Sequence, residues 1–123
     1  MPDILLIQPP IRDFYLTVKR TIPYGLACIA SELRRSGFSV EISDALATKK
    51  SRDIPFPQEM TFLESYYAAK DVSPFALFHG FRHFGHSFEH IGNIAKASDA
   101  FLVGISSLFT AYSNEALETA EIV

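Results

Sequence analysis

Four histidines, His79, His83, His86 and His90, fall at i, i+4, i+7 and i+11. Imidazole is a good zinc ligand, and on one uninterrupted helix these side chains would share a face. Gly80 and Gly85 interrupt the stretch, and Ser87 has the chemistry of an N-cap, so the helix is not continuous. Phe75, Phe78, Phe81, Phe84 and Phe88 recur every three or four residues through the same segment. The expectation is partly exposed histidines beside an aromatic cluster, with no metal site.

A second set of candidates lies where apolar runs stop. Ile4-Leu5-Leu6-Ile7 gives way to Gln8-Pro9-Pro10, and Phe101-Leu102-Val103-Gly104-Ile105 gives way to Ser106-Ser107. Tyr24-Gly25 stands at the start of an amphipathic pattern, and Asp44 closes a third extended run. In a doubly wound sheet, ligands bind at the carboxyl ends of the strands where the connections diverge. Helix-start amides beside those ends attract polar or anionic groups. No Gly-x-Gly-x-x-Gly follows the first run, no Walker loop is present, and Ser106 and Ser107 lie in no Gly-x-Ser-x-Gly elbow. A receiver domain's acidic residues are also missing from Gln8-Pro9-Pro10 and Ser106-Ser107.

The elements that must hold these residues follow from periodicity. Ile4–Ile7 is continuously apolar, as a strand covered on both faces should be. Ile11–Thr21 has no sustained period and is expected to be a loop. Pro23 suits a helix start, and Leu26, Ile29, Ala30 and Leu33 follow at helical spacing, with Arg34 and Arg35 in the last turn and Gly37 past the end. Phe38–Ile42 alternates as a second strand closing at Asp44. Residues 46–86 form an exposed excursion, with a short helix over Gln58–Lys70. Ser87 caps a helix reaching Ala97, Phe101–Ile105 is the third strand, and Ser113 caps a last helix from Asn114. The fold class is therefore α/β: a Rossmann-like, flavodoxin-like three-layer α/β/α arrangement with a parallel sheet whose strand order begins 2-1-3. Glu121-Ile122-Val123 still fits the helical pattern, and three strands bury a sheet poorly. The expectation is a truncated, partial domain over residues 1–123.

At 123 residues, 48% hydrophobic and 13% aromatic, the chain can build one core. Its net charge of −3 leaves no broad basic surface, which argues against nucleic acid as a partner. The apolar runs are too short to span a membrane, and the start lacks a secretory leader, so the expected location is cytoplasmic. Cys28, the one cysteine, sits in an apolar helical pattern and is expected to be a small buried side chain.

Three stretches, taken together, resemble the N-terminal domain of cobalamin-binding radical S-adenosylmethionine (radical SAM) proteins. They are Ile4-Leu5-Leu6-Ile7-Gln8-Pro9-Pro10, Ile22-Pro23-Tyr24-Gly25-Leu26-Ala27 running on to Arg35-Ser36-Gly37-Phe38 and Asp44-Ala45, and Asp99-Ala100-Phe101 through Ser106. The resemblance implies that the sheet's C-terminal edge holds the corrin of cobalamin, with Pro9, Pro10, Tyr24, Gly25, Leu26, Ser106, Ser107 and Thr110 at or near the cleft, and Asp44 at the neighbouring strand end. The Asp-x-His-x-x-Gly motif that supplies a cobalt ligand in methionine-synthase-like domains is missing, which implies a site without a protein histidine. One cysteine cannot supply the Cys-x-x-x-Cys-x-x-Cys motif. The resemblance therefore places the 4Fe-4S cluster and S-adenosylmethionine in a radical SAM domain expected beyond residue 123, this chain's partner. It also leaves open a domain that has lost cobalamin and serves as a substrate cap or protein-interaction module, with Phe75–His90 as its working surface. The substrate and the oligomeric state are not readable.

Overall fold

The structure, a computed structural model, describes residues 1–14, 22–65 and 80–123. β1 (Ile4–Gln8) is the centre of a three-stranded parallel sheet, flanked by β3 (Val40–Asp44) and β6 (Leu102–Ile105). The register pairs Ile4 with Val40 and Leu102, and ends with Gln8 beside Asp44 and Ile7 beside Ile105. Alternation in β1 sends Ile4 and Leu6 to one face, where they meet Leu26 and Ala30 of α1 (Tyr24–Arg35). Leu5 and Ile7 meet Ile91 and Ala95 of α2 (Phe88–Ser98) on the other. This central position is why all four apolar residues of the run are buried.

The helix boundaries have local causes. Pro23 precedes α1, where its missing N–H breaks no helical bond. At the other end Gly37 takes φ +96, with Gly37 N–H donating to Arg34 O and Phe38 N–H to Leu33 O, a Schellman ending. Ser87 caps α2 by accepting the His90 N–H at 3.2 Å. The last helix, α3 (Ser113–Ile122), departs from expectation: Ser113 is its first residue, and Tyr112, which makes no side-chain cap bond, stands before it.

The main correction concerns a second sheet. β2 (Ile11–Asp13), β4 (Ser51–Ile54) and β5 (Phe81–Phe84) form an antiparallel sheet of order β2-β5-β4. The parallel sheet is consequently ordered 3-1-6 in chain numbering rather than 2-1-3, because these three strands lie in segments expected to be loop or excursion. Their charged positions hide the strand signal: Arg12 pairs with His83 and Asp53 with Arg82 in register, and Arg82 Nε lies 3.2 Å from Asp53 Oδ1. The helix expected at Gln58–Lys70 is a 3-10 helix over Gln58–Ser65, and residues 66–70 lie outside the described residues, as do 15–21 of the expected loop.

Cys28 is exposed rather than buried. The buried face of α1 is carried by Leu26 and Ala30, and Cys28, two residues beyond Leu26, rotates to the solvent side together with Ile29. Among the described residues, no helix is long and apolar enough to cross a membrane.

Candidate functional site

Over the C-terminal ends of β1 and β6 lies a cleft of about 290 Å3. Gln8, Pro9 and Pro10 enter it from β1, Ser106 and Ser107 from β6, and Tyr24 and Gly25 from the first turn of α1. The parallel register brings these strand ends side by side, and Ser106 N–H donates to Ile7 O at 3.0 Å, locking the turn after β6 onto β1. A Cβ on Gly25 would meet nothing within 4 Å, so this edge of the cleft is open.

Three residues expected at the cleft do not line it. Leu26 lies one position beyond Gly25, but helical rotation turns it inward, where it is buried against Ile4, Leu6 and Val40. Thr110 is exposed at the start of a short 3-10 turn, Thr110–Tyr112, and is not among the residues lining the cleft. Asp44 lines an adjacent cavity of about 480 Å3, which shares Ile22, Pro23 and Leu46 with the cleft. Its Oδ1 accepts the Leu46 N–H at 2.9 Å. Burial pushes the Asp44 carboxyl above its ordinary pKa, against the lowering effects of the Leu46 N–H and nearby His86.

The rim joins the expected Tyr24 to three residues missed from sequence, Ile22, Leu108 and Phe109. Ile22, Tyr24, Leu108 and Phe109 are 85%, 76%, 73% and 64% exposed, so a contiguous apolar lip surrounds a site reached from solvent. Leu108-Phe109 was visible in the sequence as an apolar pair where turn residues are the norm. Tyr112 also lines the cleft, and its hydroxyl donates a short hydrogen bond to Asp13 Oδ2. That contact ties the cleft wall to the second sheet.

Beside it lies a partly buried polar cluster. Arg12 makes a bidentate pair with Glu118, at 2.7 and 2.8 Å, and its guanidinium stacks 4.9 Å over the Phe88 ring. Glu115 is buried in α3, and its Oε2 finds no hydrogen-bond partner among the described residues. Desolvation raises its pKa despite the nearby Arg12. His83 was expected to be partly exposed and is instead 1% exposed on β5, edge-on to Phe88. Its Nε2 lies 2.9 Å from the His86 carbonyl oxygen and so donates to it, while burial pulls its pKa down.

His86 and His90 stack at 4.5 Å near the start of α2, His86 half-buried and His90 exposed. Neither they nor His83 line the cleft, and His79 lies outside the described residues. Among the described residues, no group of three or more metal-ligating side chains comes together. Phe75 and Phe78 also fall outside the described residues, while Phe84 is buried and Phe81 packs against Phe14 with centroids 5.0 Å apart. In the described part of the segment expected to be a working surface, residues 80–90, His83, Phe84 and Gly85 are buried while Ser87, Glu89 and His90 are exposed. Comparison of the chain with protein-family models, with curated proteins and with solved structures returns no match.

Proposed function

We propose that the chain is a Rossmann-like, cobalamin-binding-type domain that works beside a radical SAM domain, with one flat face of the corrin laid across the cleft. The observation that carries this reading is the apolar cleft with its exposed lip, at the C-terminal ends of neighbouring parallel strands. At about 290 Å3 it is too small to enclose a macrocycle, but its open side suits the face of one. Pro9, Pro10, Tyr24 and Leu108 offer apolar contact; the Tyr24 N–H is taken by Ile22 O, but the Gly25 and Leu26 N–H groups at the start of α1 have no intrahelical acceptor to give up for a ligand's amide oxygens. With no described histidine in the lining, the proposed site leaves cobalt without a protein nitrogen ligand. Bound cobalamin supplies methyl-carrying or radical-tuning chemistry; the 4Fe-4S cluster and S-adenosylmethionine belong to the partner domain, since Cys28 alone cannot hold a cluster.

Equilibrium dialysis of methylcobalamin in the dark tests this. The expected result is saturable retention by the chain that Gly25→Trp abolishes, because an indole projects into space where a Cβ meets nothing. A second reading, a substrate cap or protein-interaction module that has lost cobalamin, is favoured by the same exposed lip. Failure of the chain to retain methylcobalamin selects it.

A further inference from the structure

We propose that the Asp44 cavity is a ribose subsite: a nucleoside lies across both spaces, its base in the apolar cleft and its ribose hydroxyls on the Asp44 carboxylate. This rests on the cleft being a site for a flat ligand and adds a second occupant, a nucleoside, which competes with the corrin for the same apolar surface. The two spaces share Ile22, Pro23 and Leu46, so one molecule can span them. Asp44 is the last residue of β3 and pairs in register with Gln8 at the end of β1, which itself borders the cleft. In α/β sheets that bind nucleotides, a carboxylate at the end of the strand next to the first one receives a ribose hydroxyl.

The side chain is also set for that task. Oδ1 is held by the Leu46 N–H at 2.9 Å, and no described residue donates to Oδ2. Partial burial withholds water from the carboxylate and so strengthens a hydroxyl bond to it. Thr48 and Lys49 add polar groups beside Asp44, while Ile22, Pro23, Leu46 and Ala47 line the rest, so a ribose can set its hydroxyls on Asp44 and its carbon face on an apolar wall. The link from β1 to α1 lacks the glycine-rich turn that cradles a pyrophosphate, which limits the ligand to a nucleoside rather than a dinucleotide.

The test is an amide-resolved NMR titration of the chain with adenosine and with 2′-deoxyadenosine. Adenosine is expected to shift Asp44, Leu46 and Thr48 together with Gly25 and Ser107, and 2′-deoxyadenosine to bind about tenfold more weakly, the loss of one hydrogen bond to a charged acceptor. Asp44→Asn, which keeps an acceptor for the Leu46 N–H and so the local fold, should weaken adenosine by a similar factor. Equal affinity for the two nucleosides, or no shifts at these amides, overturns the proposal. Methylcobalamin retention without adenosine binding overturns the ribose subsite and leaves the cofactor reading standing. A hydroxyl-dependent adenosine site without methylcobalamin retention supports the subsite and removes the cofactor.

Discussion

Replacing Gly85 by alanine strikes the joint between the two sheets. Gly85 adopts φ +107, and a Cβ there would lie 2.5 Å from Ala45 O, 3.2 Å from Ala45 C and 3.3 Å from Pro10 Cβ. The first two are backbone atoms, which no rotamer change can move aside. Ala45 O also accepts the His86 N–H at 2.9 Å, and Ala45 N–H donates to Gln8 O at 3.0 Å, so a shift of Ala45 disturbs the links from β1 through the end of β3 to the loop after β5. The strained backbone costs about 1–3 kcal/mol. A weakened buried hydrogen bond adds about 1 kcal/mol. A total of about 3 kcal/mol lowers the midpoint of a chain this size by roughly 10–15 °C. Urea unfolding followed by circular dichroism measures it, with Gly25→Ala as the control. A Cβ at Gly25 meets nothing, and alanine in a helix should be neutral or stabilising by about 0.5–1 kcal/mol. Gly85→Ala within about 0.5 kcal/mol of the parent would refute the close approach.

Four further outcomes are expected. Stability should fall as pH drops below about 6.5: His83 and His86 have lowered pKa values from burial, so the unfolded chain takes up protons first, and the stability present above the ordinary histidine value of about 6.5 is lost as pH drops through the lower folded-state values. Glu115 runs the other way, its contribution being full below the ordinary carboxylate value and lost as pH rises through its raised folded-state pKa; Glu115→Gln should therefore gain on the parent with rising pH, and a flat difference would contradict its burial. A double-mutant cycle on Arg12 and Glu118, whose side chains are 25% and 41% exposed, should give a coupling of about 0.5–1 kcal/mol after solvent screening, and zero coupling would contradict the bidentate pair. Cys28 should react completely with a thiol reagent in the native chain, and protection until unfolding would contradict its exposure.

The parallel sheet was legible because burial on two faces writes itself as unbroken apolar runs, as in Ile4–Ile7. The caps were legible because Ser87 and Gly37 act through their own backbone and hydroxyl chemistry. The antiparallel sheet was not. Its strands are short, and Arg12, Arg52, Asp53 and Arg82 are partnered or solvated across strands, which erases alternation from any single segment. Pro9, Pro10, Ser106 and Ser107 could be placed from strand ends, and Tyr24 and Gly25 from the helix start beside them, whereas Leu26 and Thr110 required knowing which way each turn rotates. His83 was misjudged because the sequence shows its phenylalanine neighbours without showing that β5 lies between β2 and β4, with both edges covered.

The most direct test of a corrin site free of protein histidine is electron paramagnetic resonance of cob(II)alamin titrated into the chain, repeated with His83→Gln, His86→Gln and His90→Gln. The expected result is a bound cob(II)alamin signal whose nitrogen superhyperfine pattern is the same for the parent and all three variants, and which Gly25→Trp eliminates. A nitrogen coupling that disappears with one of the histidines, or a signal indistinguishable from free cob(II)alamin at every protein concentration, would contradict it.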